Sequence, residues 1–527
     1  MFQNSQCYPV KKLDIITVLS SMASMGEKTQ HGIFLRLDVL RMQCYHKINS
    51  RQEKDSWMKK RRKEVKAMKA KKITALLCVA AAISATLLSG CGGDGNGKTK
   101  ITIGGWPPET DAAMAANYEQ YKQKMEEKYQ DIEIIPETST TGPKEYAAQA
   151  SSGQLPSLYV TSYTELPLAA KSGFAADITE YCKKYGYTTN VNPILLDKIS
   201  YAGKIYGIPQ TAYSLGLACN KKLFEQAGLV NEDGTLQFPN TYKELVQTAE
   251  KIKEATGQAG FSFPTMNNQG GWIFTCLAWS FGVDFMKEDS EGNWKAAFDT
   301  PECVEALSYL KDLKWKYHVL PDNTFVDVTE QRKLFAADQA GMYLMHVPER
   351  MLVKTYNMDK DDIVFCRVPA GPKGRYSLMG GNVYMIAPDS TPEQIDAVFK
   401  WLEIAGASPK VTDEIKEAEK IQLKSDNEEN VPVMKKLPFS IWINDERIKM
   451  NDEIRAQYAN VPDSNFSDYA SFEDVIIQEE EPQAAQELYS ILDAGIQEVL
   501  TDQNADCKQI VSRMAKDFQV NHLDKLD

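Results

Sequence analysis

The chain has 527 residues, of which 25% are charged, and a formal net charge of −12 at pH 7. This charge is divided unevenly, because residues 1–90 contain 17 Lys and Arg against 6 Asp and Glu, whereas residues 91–527 contain 43 against 66. The acidic segment 91–527, which we call the main part of the chain, carries a charge that argues against binding to nucleic acid or to anionic lipid headgroups. Its length corresponds to roughly two or three domains.

A segment with the three parts of a secretory signal runs from Met68 to Cys91. It begins with three lysines, continues through an apolar run at 73–88 and ends in Leu-Ser-Gly-Cys. The apolar run is shorter than the roughly 20 residues that a membrane span needs. Because its last four residues resemble the bacterial lipobox, we expect residues 68–90 to be a lipoprotein signal peptide. Cys91 is then lipidated, and residues 91–100 are a flexible tether.

The residues before this segment do not contribute to the fold prediction. Residues 1–67 show no periodic element and contain the basic cluster Lys59–Lys63. We expect them to be a mis-called or disordered N-terminal extension, with translation beginning at Met68 or at Met58.

The first elements of the main part alternate between strand and helix. A strand at Ile101–Ile103 is followed by a helix from about Asp111 to Tyr129, and further strands are predicted at Ile132–Ile134 and Leu158–Val160. Alternation of this length predicts an α/β fold with a parallel sheet covered by helices.

Ligands of such sheets lie beyond the carboxyl ends of the strands. Trp106 follows the first strand, and Tyr163 and Glu165 follow the strand Leu158–Val160. We therefore expect these three side chains to lie near a ligand.

Later elements are marked by helix starts. Thr241, Thr300 and Thr391 each precede a run with helical spacing of apolar residues, as N-cap residues do. The segment Trp272–Gly282 is predicted to be a buried helix, and the acidic run Ser425–Asn430 is predicted to be a surface loop.

Patterns for catalysis or metal binding are scarce. The histidines of the main part, His318, His346 and His522, are not spaced to bind a metal with a neighbour. Gly92–Thr99 matches a phosphate-binding loop, but such a loop follows a buried strand and opens a helix, whereas this one follows the signal segment. We expect no catalytic residue, no metal site and no cofactor, and we expect the six cysteines beyond Cys91 to be buried free thiols.

Two tryptophans lie where the backbone turns beside glycines. Trp106 follows Gly104-Gly105, and Trp272 follows Gly270-Gly271. An aromatic face offers apolar area to the C–H side of a pyranose, so both are candidate sugar-stacking platforms.

The passage from Tyr201 to Leu229 resembles a known family. It contains Gly203-Lys-Ile-Tyr-Gly-Ile-Pro209 and Asn220-Lys-Lys-Leu-Phe-Glu-Gln-Ala-Gly-Leu229. These motifs, with Gly153-Gln-Leu-Pro156 and the lipoprotein start, are similar to those of carbohydrate-type solute-binding proteins of ABC importers, family 1. The family's usual Tyr before Asn220 is Cys219 here.

The resemblance implies a two-lobed α/β fold of the periplasmic-binding-protein type II, with hinge crossings and a ligand cleft between the lobes. Lobe 1 is expected at 101–212 plus 346–405, and lobe 2 at 213–345 plus 406–527. Crossings are then expected near Ala212–Leu217, Met345–Pro348 and Gly406.

The resemblance also implies a function without catalysis. The protein is expected to be a monomer, anchored by acyl chains on the outer face of the bacterial cytoplasmic membrane, that binds a sugar or oligosaccharide and delivers it to an ABC permease. Because lobe closure needs contacts from both lobes, we expect the following ligand-binding residues: Trp106, Tyr163, Glu165, Tyr213, Trp272, Glu349, Arg350 and Asn382.

Three alternatives stay open. A surface hydrolase acting on glycans needs an acid pair about 5–10 Å apart. The same fold with a peptide, polyamine or phosphorylated solute is a second alternative, and a cleft of carboxylates with few flat aromatics would favour a cation. A sensor that presents its closed form to a membrane receptor is the third.

Overall fold

A computed structural model describes residues 97–138, 148–346, 350–437, 439–471 and 473–526 of the protein. The predicted extension, the signal peptide and Cys91 lie outside these residues. Within the described ranges, no helix is both long enough and apolar enough to cross a membrane.

Strands and helices are mixed along the whole described chain. The strands are β1 (Thr99–Ile103), β2 (Ile132–Pro136), β3 (Leu158–Ser162), β4 (Ser200–Tyr201), β5 (Lys204–Ile205), β6 (Ile208–Ser214), β7 (Gly216–Asn220), β8 (Met286–Glu288), β9 (Trp294–Ala296), β10 (Met342–Met345), β11 (Ile363–Arg367), β12 (Arg375–Ile386) and β13 (Val475–Glu479). The α-helices are Ala112–Lys128, Leu166–Lys171, Thr179–Lys184, Tyr187–Asn190, Pro193–Lys198, Lys221–Gln226, Tyr242–Thr256, Gln269–Phe281, Pro301–Trp315, Val328–Ala336, Arg350–Lys354, Pro392–Ile404, Asp413–Glu428, Asp445–Tyr458, Ser467–Ser471, Ala485–Thr501 and Cys507–Asn521.

The larger sheet has the order β13-β12-β3-β1-β2, and β6 pairs with β12. β1 is parallel to β2 and to β3, as predicted from the alternation of strands and helices. The prediction of a parallel sheet is wrong for β12, which runs antiparallel to β3 and to β6, so the sheet is mixed. Ile101 and Ile103 of β1 and Ile132 and Ile134 of β2 are buried, because alternate side chains of a strand point to the same face.

The second sheet has three antiparallel strands in the order β10-β7-β11. All five residues of the central strand β7 are buried, as are all four of β10. A strand buried on both faces reads as a continuous apolar run, which explains the sequence Gly-Leu-Ala-Cys of β7.

Two large hydrophobic cores divide the described chain. The first core contains buried residues from Ile101 to Ile208 and from Met379 to Trp442. The second contains residues from Leu215 to Leu378 and from Ala485 to Leu523. The backbone therefore passes between the cores at the β6–β7 junction, within β12, and between β13 and the helix Ala485–Thr501.

This distribution differs from the lobe boundaries expected from the sequence, which stay a prediction. Leu352 and Phe365, expected in lobe 1, pack with Tyr343 of β10 in a smaller cluster. Ala418 and Trp442, expected in lobe 2, belong to the first core. The reason is that β11 pairs with β7, which holds the segment before it on the second sheet.

Helix starts follow the predicted caps, whereas one predicted loop is wrong. The hydroxyls of Thr241, Thr300 and Thr391 each accept a backbone N–H of the first helical turn. The acidic run expected to be a surface loop instead ends the helix Asp413–Glu428, where Asp426 is buried. Its burial is compensated by an ion pair with Arg350, a partner that lies far away in the sequence.

The helix Gln269–Phe281, predicted to be buried, packs closely against the helix Ala485–Thr501. A Cβ atom at Gly271 would lie 2.2 Å from the carbonyl oxygen of Tyr489. The carboxylate of Asp493 accepts hydrogen bonds from the backbone N–H groups of Asn268 and Gly271, each at 2.7 Å. The absent side chain at Gly271 therefore allows the contact on which this part of the second core depends. The six cysteines beyond Cys91 are free and buried, as expected.

Replacing Gly271 with Ala should lower the free energy of unfolding by about 1–3 kcal/mol, because the added methyl group meets fixed backbone. Urea denaturation followed by circular dichroism measures the effect. Gly97→Ala is the control, since nothing lies within 4 Å of a Cβ there. Equal stability of the two variants would contradict this account of the contact.

Candidate ligand-binding site

A cavity of 640 Å³ opens where the backbone passes between the two cores. Its lining comes from residues 209–214 of β6, from Asn382 and Tyr384 of β12, from His346 after β10, and from the chain at 405–407 and 436–455. Cavities of this size accommodate small ligands.

Tyr213 is held in this cavity by the pairing of β6 with β12. It pairs with Gly380, where a Cβ atom would lie 2.7 Å from the Tyr213 ring, so the glycine leaves room for the ring. The ring stacks on His346 with centroids 4.0 Å apart and meets the edge of Trp272 at 6.4 Å. Tyr213 and Trp272, two residues expected from the sequence, are therefore in ring contact.

Asn382 and Tyr163 lie on the same pair of strands. The side chain of Asn382 is exposed and lines the cavity, while its backbone N–H donates to the hydroxyl of Thr211 at 3.0 Å. The Tyr163 hydroxyl donates to the carbonyl of Thr211 at 3.1 Å, and its buried ring lies against Gly381. Gly381 has φ +150°, a conformation that favours glycine. The structure thus gathers Tyr163, Tyr213 and Asn382 around Thr211 and the two glycines.

Much of the cavity wall was not predicted from the sequence. It includes the aromatic residues Phe439 and Trp442 and three residues of the helix Asp445–Tyr458, Arg447, Asn451 and Arg455. These three are spaced four residues apart, which places them on one face of the helix. No local motif marks them as ligand-binding, because what identifies them is their position opposite β6 and β12.

Trp106 lies in the first core and not in the cavity lining. It is 6% exposed, stacks on Trp401 with centroids 5.9 Å apart, and meets Tyr118 edge-on at 5.2 Å. This placement gives Trp106 a packing role, and its expected role in ligand binding stays a prediction.

Arg350 lies in an ion-pair network outside the cavity lining, and Glu349 lies outside the described residues. Arg350 pairs with Asp426 and, at 3.1 Å, with Glu429. Lys354, one helical turn further, pairs with Glu429 at 2.9 Å and with Asp111 at 2.7 Å. The network links the helix Arg350–Lys354, which packs in the cluster around β10, to Asp111 between β1 and β2 and to the C-terminal end of the helix Asp413–Glu428.

A second group of polar residues surrounds the last crossing between the cores. Burial is the main cause that raises the pKa of Glu165 to about 7, and the nearby carboxylate of Glu487 adds to it. Burial likewise raises the pKa of Glu480 and of Glu481 to about 7. Each of the latter two accepts a hydrogen bond at 3.1 Å, Glu480 from the hydroxyl of Tyr489 and Glu481 from the indole N–H of Trp279.

Glu480 and Glu481 face a neighbouring cavity of 190 Å³. It is lined by Tyr163, Lys198, Glu480 and Glu481, among others. Lys198 contacts two consecutive glutamates. Its ammonium group forms an ion pair with Glu479 at 2.7 Å and donates a hydrogen bond to the backbone carbonyl of Glu480 at 3.1 Å. Within the described part of the chain, no three His, Cys, Asp or Glu side chains are placed to hold a metal ion.

Together these features describe a binding site in the larger cavity. Aromatic rings provide flat apolar area, and amide, hydroxyl and guanidinium groups at the same wall provide directed hydrogen bonds. The walls come from the first core, which contributes Tyr384 and Trp442, from the crossing strands β6 and β12, and from the smaller cluster around β10, which contributes Tyr469.

Comparison with known proteins agrees with this geometry. A family model described as bacterial extracellular solute-binding protein matches residues 106–408. The polygalacturonan/rhamnogalacturonan-binding protein YtcQ of Bacillus subtilis is 22% identical over 244 residues, which are 44% of this chain and 47% of that protein. The maltotriose-binding protein of Pyrococcus abyssi is 22% identical over 209 residues, 39% of this chain and 42% of that protein. The chain spans about half the length of the curated relatives it matches.

Solved structures are similar over most of the chain. The GacH receptor of Streptomyces glaucescens has a TM-score of 0.61 and 16% identity, covering 82% of this chain and 100% of that one. A solute-binding protein of Thermotoga lettingae with bound α-D-tagatose has a TM-score of 0.60 and 20% identity, and the match covers 80% of this chain and 98% of that chain. This likeness confirms the two-lobed α/β fold of the periplasmic-binding-protein type II that the sequence predicted.

The carboxyl groups with raised pKa predict how stability depends on pH. Because the folded protein keeps protons on Glu165, Glu480 and Glu481 up to about pH 7, while an unfolded chain loses them above the ordinary pKa of 4.5, stability should fall as the pH rises through that interval. Thermal unfolding at pH 5 and at pH 7.5 measures this fall.

The substitution Glu480→Gln should reduce this fall in stability between pH 5 and pH 7.5. The side-chain amide oxygen of glutamine can still accept the hydrogen bond from Tyr489, but it carries no charge. We expect the variant to gain about 1 kcal/mol over the wild type at pH 7.5 and little at pH 5. Glu305→Gln, at an exposed position of the helix Pro301–Trp315, is the control. A gain that is equal at both pH values would contradict the role of the Glu480 proton.

Proposed function

Because this chain belongs to the bacterial extracellular solute-binding protein family, we propose that it is a lipid-anchored protein that captures a sugar or oligosaccharide by lobe closure and delivers it to an ABC permease. The observation that carries this proposal is the 640 Å³ cavity at the crossings, with Tyr213 stacked on His346 in its wall.

A carbohydrate suits this cavity for physical reasons. A sugar ring has an apolar C–H face and a rim of hydroxyls, so it needs flat aromatic area beside directed donors and acceptors. The cavity offers Tyr213, Phe439 and Trp442 together with Gln210 and Asn451. The names of the relatives, which bind polygalacturonan or rhamnogalacturonan and maltotriose, support the same class of solute.

We further propose that the ligand residues are Tyr213, Trp272 and Asn382, with Tyr163 and Glu165 supporting them from the lobe 1 side. The side-chain amide of Gln486 donates to the hydroxyl of Thr164 at 3.4 Å, a contact between the helix Ala485–Thr501 of the second core and the segment that follows β3 of the first core. A solute that contacts both lobes stabilises the closed form through differential contacts.

A thermal-shift screen of soluble protein from Gly92 onward tests the proposal. A carbohydrate at a hundred times its dissociation constant should stabilise the protein by about 2.7 kcal/mol. Amino acids, peptides and polyamines serve as comparison ligands, and mass spectrometry of the mixture reports turnover. Consumption of the sugar would show that the protein is a glycan hydrolase and not a binding protein. A response to the comparison ligands alone would show that the solute is not a carbohydrate.

Tyr213→Ala should weaken binding of the sugar found in that screen by more than about 1 kcal/mol, because the stacking face is lost. Tyr213→Phe should retain most of the affinity, since it keeps the ring. Isothermal titration calorimetry gives the dissociation constants. Phe325→Ala is the control, because Phe325 is 51% exposed and is not among the residues lining this cavity. An unchanged constant in a folded Tyr213→Ala protein would remove Tyr213 from the site.

We propose that Cys91 carries the acyl chains that hold the protein on the outer face of the cytoplasmic membrane. Cys91→Ser should abolish incorporation of labelled palmitate and move the protein from the membrane fraction to the medium or periplasm, because one lipidated residue is the whole anchor. Fractionation of cells followed by immunoblotting measures the shift. Cys507→Ser, a substitution outside the signal segment, should leave the protein in the membrane fraction.

A further inference from the structure

Arg447 is a buried cation in the wall of the proposed sugar cavity. Its side chain is 2% exposed, although the helix Asp445–Tyr458 that carries it is largely polar. The guanidinium donates through Nε to the carbonyl of Ser408 at 3.3 Å and through Nη2 to the carbonyl of Gly406 at 3.1 Å. These neutral acceptors position the group without compensating its charge.

The third nitrogen of this guanidinium, Nη1, has no hydrogen-bond partner among the described residues. No carboxylate in the described ranges lies within ion-pair distance of Arg447. The nearest charged influence is Glu419, whose carboxylate lies 3.8 Å from the guanidinium of Arg455 instead. Burial lowers the pKa of Arg447 to about 10, which is the direction expected for a cation whose charge is poorly compensated.

A buried polar atom without a partner is costly to a fold, and more so when it is charged. One turn along the same helix, Oδ1 of Asn451 is also buried without a partner. Both residues line the 640 Å³ cavity. An unsatisfied donor and an unsatisfied acceptor on residues one helical turn apart in a cavity wall are the arrangement expected of a site that a ligand completes.

The charges of the cavity wall favour a ligand with one negative charge. Its lining contains the cations Lys436, Arg447 and Arg455 and the carboxylates Glu419 and Asp452. Lys436 and Asp452 lie 4.0 Å apart, and Arg455 faces Glu419. Pairing these four leaves the charge of Arg447 uncompensated, in a protein whose overall charge is −12.

We infer that the cavity takes an acidic saccharide, whose carboxylate accepts a hydrogen bond from Nη1 of Arg447 while a neighbouring hydroxyl donates to Oδ1 of Asn451. This inference rests on the proposed function, because it specifies the class of sugar that the same cavity binds. A uronic acid unit supplies both groups on one ring. A sugar phosphate shares the oxyanion but brings more than one negative charge near neutral pH, so the single uncompensated cation favours the uronate.

Calorimetry of the wild-type protein with three matched probes tests the inference. The probes are a disaccharide of one galacturonic acid unit and one galactose unit, which carries a single negative charge, the neutral galactose disaccharide of the same linkage, and galactose 6-phosphate. The uronate should bind at least about tenfold more tightly than the neutral disaccharide, as expected for a charged hydrogen bond. Its affinity should also fall between 50 and 500 mM NaCl by a larger factor than that of any neutral sugar.

The outcomes separate this inference from the proposed function. Equal or tighter binding of the neutral disaccharide overturns the acidic class and leaves the sugar-binding function in place. Tighter binding of galactose 6-phosphate than of the uronate would show that the oxyanion is a phosphate, and this would overturn the assignment of a uronate. Binding of no saccharide, when other solutes bind, overturns both.

Arg447→Gln supplies the residue-level test. Glutamine places an amide donor at about the position of Nε, next to the carbonyl of Ser408, but carries no charge. The variant should lose the preference for the uronate, with about a tenfold loss for the acid and a smaller change for the neutral sugar. Arg513→Gln, which removes an exposed arginine paired with Glu498, is the control.

A preference that survives Arg447→Gln would overturn the assignment of this residue. If the variant does not fold, Asn451→Ala in the neighbouring turn takes its place and should weaken binding of both disaccharides. The wild-type comparison of the three probes and its salt dependence decide the class of sugar without any variant.

Discussion

The pairing of β6 with β12 is the constraint on which the rest of the structure depends. Both strands pass between the two cores, so their register fixes how the chain crosses and what the crossings present to a ligand. Gly380 and Gly381 make the pairing compatible with large rings, because side chains there would collide with Tyr213 and with Thr211 and Tyr163. The crossing strands are therefore built from the same residues that position the aromatic wall of the cavity.

Several polar groups with little access to solvent lie around these crossings, where they cost stability. Glu480 and Glu481 lie in the last crossing and keep their protons near neutral pH because burial disfavours the carboxylate. Arg447 is buried with one nitrogen unsatisfied in the cavity wall. Buried polar groups beside a proposed binding site are typical of proteins in which binding geometry is maintained at the expense of local stability.

The residues expected from the sequence illustrate why a site is harder to predict than a fold. Tyr213 and Asn382 were expected from the two-lobed fold that the resemblance implies, and the structure places both in one cavity although Asn382 bonds to a residue 171 positions away. Trp106 and Trp272 had the same local signal, an aromatic residue after two glycines. Trp272 meets Tyr213, whereas Trp106 stacks on Trp401 inside the first core. Nothing in the neighbouring residues distinguishes the two, because the difference lies in what covers each ring.

The sequence by itself determined the features that depend on local spacing. Alternating strands and helices, the capped helix starts at Thr241, Thr300 and Thr391, and the buried helix Gln269–Phe281 each follow from residues within a few positions of one another. Only the tertiary structure decided which segments share a core, where Arg350 finds Asp426, and that the helix carrying Arg447 forms a wall of the cavity. These contacts join residues distant in the chain, and their energies depend on burial and on the placement of partners, which no local pattern encodes.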